Sequence, residues 1–252
     1  MDIFHTTAKV AACSGGVMFN GHKRFVTGGN GADGWLVNVL GTDGPAIYWV
    51  PRDAPGLMVD FVKLADGNAV SELHLDGVVI PGSNLVASGQ AVVDTLEQAL
   101  DEATIATAAE LLGVMSAMFD MTLEYLKTRR QFGQLIGGFQ ALQHRAVDMY
   151  IQRQLSQAVI AEAVQALEDG TEPRQRRRLA SRAKARASSS ALLIAKEAIQ
   201  MHGAIGFTDE FDLGLYVKRA LVLASSMGNV SFHRKRFASM REVAPRKTEC
   251  RL

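Results

Sequence analysis

Residues 71–97 read SELHLDGVVIPGSNLVASGQAVVDTLE, and the hydrophobic period changes within them. Leu73-His74-Leu75 alternates as a half-buried strand does, and Pro81-Gly82 stops it. Asp94-Thr95-Leu96-Glu97 then has the form of a helix capping box, with Asp94 accepting from an orphan amide and Glu97 reaching back. From there the sequence predicts a helix to about Lys127, apolar all round between Ala103 and Met118 and so expected to be the buried helix.

Upstream, short apolar runs alternate with turn residues. Phe25-Val26-Thr27 precedes Gly28-Gly29-Asn30-Gly31, and Trp35 to Leu40 precedes Gly41-Thr42-Asp43-Gly44. Ala46 to Val50 precedes Pro51, and Leu57 to Leu64 precedes Asp66-Gly67-Asn68. Strands at this spacing predict an antiparallel barrel or sandwich. Downstream, three more helices are predicted at about Phe139–Leu167, Arg174–Met201 and Asp212–Ala238. They are separated by Arg129–Gly138, by Asp169-Gly170 with Pro173, and by Gly203–Asp209. The expected fold is α+β: a β-domain over 1–92, an antiparallel four-helix bundle over 93–240, and a frayed charged tail over 241–252.

Composition excludes several classes. A net charge of +1 gives no field for nucleic acid. The run Arg174, Arg176, Arg177, Arg178 lacks interleaved aromatics and reads as a solvated helix start. Cys13 and Cys250 lie at opposite ends and make no disulfide framework, so a cytoplasmic protein with free thiols is expected. No zinc-type cluster is read, and no metal is expected. Residues 103–118 contain Thr104, Thr107, Glu110 and Ser116, too polar and too short for the roughly 20 residues a bilayer needs. Met1 to Val10 has no targeting pattern, so no membrane association is expected.

Three segments carry chemistry. Asn20-Gly21-His22-Lys23-Arg24-Phe25-Val26-Thr27 opens with a hairpin-turn signal, and a plain hairpin accounts for it by itself. Arg129-Arg130-Gln131-Phe132-Gly133-Gln134 ends a helix, where a basic terminus suits the helix dipole. The dipole does not explain the Phe-Gly pair, whereas an arginine fork beside an aromatic suits a phosphate with a ring attached. Gln200-Met201-His202-Gly203-Ala204-Ile205-Gly206-Phe207 allows either a glycine C-cap or backbone amides close to a pyrophosphate. A helix precedes it rather than a strand, so it is not a Rossmann fingerprint.

In order and spacing these segments resemble the acyl-CoA dehydrogenase family. Residues 20–27 are similar to its N-G-x-K and aromatic-Val-Thr segments, and 75–86 to the strand leading into its helical domain. Arg129-x-x-Phe132-Gly133 with Gln140 and Asp148-Met149 resembles its R-x-x-FG…Q…DM signature. Gln200 to Phe207 resembles Q-x-x-GG-x-GF, with Ala204 in place of a glycine.

The resemblance implies FAD. Thr27 would bond the flavin near its reactive nitrogen, and Phe25 would take the aromatic place beside the isoalloxazine. Arg129 would bind the pyrophosphate of a neighbouring subunit's FAD, with Gln131, Phe132 and Gln140 near the adenine half. Gln200, Gly203, Ala204 and Gly206 would complete that lobe. It further implies an acyl-CoA substrate, a homodimer, homotetramer or heteromer, and an electron-transfer flavoprotein as acceptor. In the family reaction a carboxylate takes the α-proton while the flavin takes a β-hydride.

Two departures stand out. The Glu-Gly-Thr segment that supplies the base aligns with Ser226-Met227-Gly228-Asn229-Val230, and Gly228 stands in the glutamate's place. A smaller branch puts its base on the first bundle helix, at the position of Ala103. Glu102 is one residue away, about 100° around the helix, and Thr104 replaces an arginine common there. The N-terminal helical domain and the T-E-P…G-S-D segment have no counterpart here, so a fragment is expected. The sequence leaves three readings: an acyl-CoA dehydrogenase completed by residues outside this chain, a flavin-binding subunit paired with a catalytic homologue as in steroid-type heteromers, or a bundle without cofactor.

Overall fold

The computed structural model describes residues 8–41 and 44–240; the tail, Cys250, Thr42 and Asp43 lie outside them. The chain divides into two compact units, Met1–Leu100 and Asp101–Leu252.

The first unit is a seven-stranded sheet of β1 (Lys9–Cys13), β2 (Gly16–Thr27), β3 (Gly34–Gly41), β4 (Gly44–Pro51), β5 (Leu57–Lys63), β6 (Ala69–Ile80) and β7 (Leu85–Ser88). Their order is β5-β6-β2-β1-β3-β4-β7. Every pairing is antiparallel except a short parallel contact of β1 with β3, so the sheet is mixed where a purely antiparallel one was expected. Alternation decides the faces. Trp35, Val37 and Val39 turn inward with Phe19, Leu73, Leu75 and Val78, while Leu36 points out.

Asn20-Gly21 is not a hairpin turn. It lies inside β2, where the pairing with β6 slips between Phe19 and Gly21. The Asn20 side chain accepts from the Gly77 amide at 2.9 Å. Long-range pairing with β6 overrides the local turn preference and leaves a bulge.

The second unit is helical: α1 (Gln90–Thr128), which begins in the first unit, then α2 (Gln140–Glu168), α3 (Pro173–His202), α4 (Leu213–Ser225) and α5 (Val230–Ser239). A small hairpin, β8 (Arg130–Gln131) with β9 (Gln134–Leu135), joins α1 to α2. Several expectations change. Helix α1 starts one turn before the supposed capping box, after Gly89 at φ 76°, so Asp94 is a helical residue accepting from the Gln90 amide group. By length and composition α1 is also apolar enough to cross a membrane, unlike residues 103–118 considered alone. One face of it packs into the bundle core through Ile105, Leu111, Met115 and Met118.

The most enclosed helix is α3, not α1. Its buried stripe of Ala180, Ala183, Ala187, Ala191, Ala195 and Ala198 lets backbones approach closely. The expected last helix is two. Met227 at φ 55° and Gly228 at φ 100° break it, and Asn229 caps α5 by accepting from the Phe232 amide.

Nor is the arginine run of α3 simply solvated. The Arg176 and Arg236 guanidiniums both reach the fully buried Asp101 carboxylate, at 3.4 and 2.7 Å. Arg178 lies 5.0 Å over the Phe237 ring.

Candidate functional site

The first cluster grows from the end of α1. The Arg129 amide closes the helix onto Tyr125 O, and Arg129 O accepts from Ile136, so the chain leaves and returns through the β8–β9 hairpin. Phe132 at φ 53° and Gly133 at φ 80° form its two-residue turn, the mirror-image geometry that suits tight hairpins. That geometry projects the Phe132 ring into solvent, 90% exposed, with its edge to Phe139 at 6.1 Å. Phe139 precedes α2, placing Gln140 on its exposed first turn. Among the described residues the exposed Arg129 guanidinium has no hydrogen-bond or ion-pair partner.

At the end of α3, Gly203 leaves the helix at φ 65° while its amide still bonds Ile199 O. A side chain at Gly206 would meet Ile199 O and His202 Cβ, both at 3.1 Å, which explains glycine there. Ala204 sits in an ordinary 3-10 turn (Gly203–Phe207) and needs no glycine.

A ring stack unites the two segments. Tyr125, one turn before Arg129, stacks on His202 at 4.5 Å, and His202 meets Phe211 at 5.0 Å. His202 is buried, its pKa pushed down by burial, and its Nδ1 pairs with Ala198 O at 2.8 Å. The Arg129–Gln140 and Gln200–Gly206 segments therefore emerge at the same end of the bundle, with Gln131, Phe132, Gln200, Gly203 and Ala204 exposed. Of the Asp148-Met149 pair, Asp148 is exposed and Met149 is core.

In the first unit, Phe25 lies at a second slip of β2 against β6, between Lys23 and Val26, with φ 56°. A positive φ is strained for an aromatic residue. It turns the ring outward, 59% exposed, under the Arg24 guanidinium at 4.9 Å. Thr27 ends β2, exposed. Lys23 points to the other face and donates to Asn38 O at 2.6 Å and Oδ1 at 2.9 Å; burial pulls its pKa down to about 8.

The turn at residues 226–229, where the resemblance led a base to be expected, holds no carboxylate. It is held from a neighbouring helix: the fully buried Lys184 ammonium donates to Ala224 O at 3.2 Å, Gly228 O at 3.1 Å and Ser188 Oγ at 3.0 Å. His233 Nε2 pairs with Met227 O at 2.8 Å. Glu102 is exposed on α1, beside the inward-facing Asp101.

One grouping escaped the sequence reading. The β2–β6 register makes His22 and His74 cross-strand partners, with Glu72 two residues along on the same face. The signal available was the Glu72-x-His74 alternation; its partner is 50 residues away in sequence, fixed only by strand pairing.

The family model "Acyl-CoA dehydrogenase, C-terminal domain" matches residues 93–239. The probable acyl-CoA dehydrogenase YngJ of Bacillus subtilis is 30% identical over 86% of this chain and 59% of its own length. The acyl-CoA dehydrogenase IpdE2 of Mycobacterium tuberculosis is 42% identical over 48% of this chain and 35% of its own. Among solved structures, the ChsE4–ChsE5 complex of Mycobacterium tuberculosis shares the fold at a TM-score of 0.84 and 24% identity, over 94% of this chain and 63% of that one. The chain thus spans at most about three-fifths of these curated relatives. With most of its helical unit matched and its motif segments gathered at one end of that unit, the chain belongs to the acyl-CoA dehydrogenase family.

Proposed function

We propose that the chain takes part in FAD-dependent α,β-dehydrogenation of an acyl-CoA thioester as its flavin-holding component. The observation that carries this is the exposed Arg129 guanidinium, without a partner among the described residues, at the bundle end shared with Phe132, Gln200 and Gly203. These residues fit a dinucleotide. Arg129 would neutralise the pyrophosphate through its fork of donors. Phe132 would cover the adenine, and Gln131, Gln140 and Gln200 would offer amides to its edge. The Gly203–Gly206 turn would admit the phosphates to the backbone. The exposed Phe25 ring and Thr27 hydroxyl would hold the isoalloxazine of a second flavin, each site being completed by a neighbouring subunit. When bound, the flavin supplies the hydride acceptor.

A second reading, favoured by the carboxylate-free 226–229 turn, makes this chain a non-catalytic subunit that works beside a homologue carrying the base. The ChsE4–ChsE5 complex is a precedent for two chains of this fold together. A cytoplasmic setting and an electron-transfer flavoprotein as acceptor belong to the proposal. The test is reconstitution with FAD, followed by acyl-CoA under anaerobic conditions. Retained flavin absorbance, lost in Arg129→Ala, supports the flavin role. Bleaching by this chain alone rejects the subunit reading. Failure to retain FAD, alone or with a homologue, rejects the proposal.

A further inference from the structure

We propose that His22, Glu72 and His74 form a binding site for a divalent cation of the zinc class, with Asp60 as its fourth ligand, on one face of strands β5, β6 and β2. The inference is independent of the flavin reading.

Strand register builds the set. His22 opposes His74 across the β2–β6 pair, and Asp60 opposes Glu72 across β5–β6. Glu72 and His74 are two apart, so their side chains rise from the same face. The donor atoms of His22, Glu72 and His74 all lie within 4.8 Å of one another. His22 Nε2 is 3.5 Å from Glu72 Oε2, and His74 Nε2 is 3.2 Å from Asp60 Oδ2. Bonds of about 2.0–2.1 Å in a tetrahedron put neighbouring ligand atoms about 3.3–3.4 Å apart. The two measured pairs lie within about 0.2 Å of that edge. The other pairs among His22, Glu72 and His74, all within 4.8 Å, close to it as the rings and the Asp60 side chain rotate.

Two imidazole nitrogens with carboxylate oxygens form a borderline donor set. It suits zinc and its transition-metal neighbours better than magnesium or calcium, which take oxygen ligands. The Arg24 Nε donates to Glu72 Oε1 at 3.0 Å and leaves Oε2 toward His22. It orients the carboxylate as outer hydrogen bonds do around metal centres. Arg24 also adds a positive charge, against which Glu72 and Asp60 supply two negative ones. The imidazoles are stacked at 4.2 Å with 18° between planes, and both lone pairs can meet one ion only when the rings splay. His22 and His74 are about one-third exposed, which leaves room for that rotation. An ion there would tie three adjacent strands together.

The full chain, cleared with a chelator, is titrated with zinc chloride by calorimetry, and Co²⁺ is used as an optical probe. One-to-one zinc binding is expected, with a visible Co²⁺ spectrum of tetrahedral intensity and a rise in the melting temperature. Glu72→Gln and His74→Ala should each weaken binding about tenfold or more, while Cys13→Ala leaves it unchanged. Because a variant can fail to fold, the His22 and His74 ring resonances of the native chain are followed as well; both should shift with zinc. Absence of binding, binding indifferent to Glu72→Gln, or ring resonances that do not move would overturn the assignment.

Discussion

Lys184 is the most demanding test of the bundle. Its ammonium is fully buried with three neutral acceptors and, among the described residues, no carboxylate partner, and burial pulls its pKa down to about 8 from 10.5. Between those values the unfolded chain binds a proton that the folded chain lacks, so stability rises with pH there. Below pH 8 both states are charged and the folded state bears the full penalty, about 3 kcal/mol. From pH 7 to pH 9 the penalty falls by about 1.3 kcal/mol on the same arithmetic. Lys184→Met removes this titration. It also leaves Ser188 Oγ, Ala224 O and Gly228 O without their donor, each costing about 1–3 kcal/mol. Urea unfolding of wild type and variant at pH 7 and 9 gives the comparison. The wild-type advantage should widen by about 1.3 kcal/mol at the higher pH. A difference that does not change with pH would refute the burial penalty on the Lys184 charge and the lowered pKa it produces.

Three further outcomes are expected. His233 is fully buried, and its pKa is held down to about 4, chiefly by burial. Between pH 6.5 and 4 the unfolded chain binds the extra proton, so acid should cost about 3 kcal/mol, and His233→Gln should flatten that part of the stability profile. Asp101→Ala leaves Arg176 and Arg236 without their shared carboxylate and should destabilise by about 3 kcal/mol in chemical denaturation, changing little with added salt. Gly133→Ala forces a side chain onto φ 80°, at about 1–2 kcal/mol. Since the hairpin is exposed, the loss should appear as faster proteolysis at 130–135, with a small change in melting temperature.

The fold was legible where local rules govern. Alternation at Trp35–Leu40 and Ser71–Ile80 marked real strands, and Gly170 with Pro173 marked a real helix break. It failed where distant partners decide. Asn20-Gly21 is a bulge because β6 pairs along it. Helix α3 is central because alanines, weak signals in sequence, permit close approach. The Gly228-Asn229 break had a readable cap, but the expectation of one helix ran over it. At the candidate site, the Phe-Gly pair of residues 132–133 was legible as more than a helix end. The Tyr125–His202 stack that joins its segment to Gln200 was not, since nothing local links residues 77 positions apart.

The 226–229 turn limits what residue 228 can be. The family resemblance would put a glutamate at Gly228, yet its backbone is at φ 100° and a Cβ there would lie 2.6 Å from the Phe232 ring. A single codon change to an acidic residue would therefore strain the backbone and collide with the first turn of α5. Any side chain at residue 228 needs the Phe232 and His233 rings to give way and the backbone to leave its left-handed conformation, so the turn is closed to substitution by its own packing.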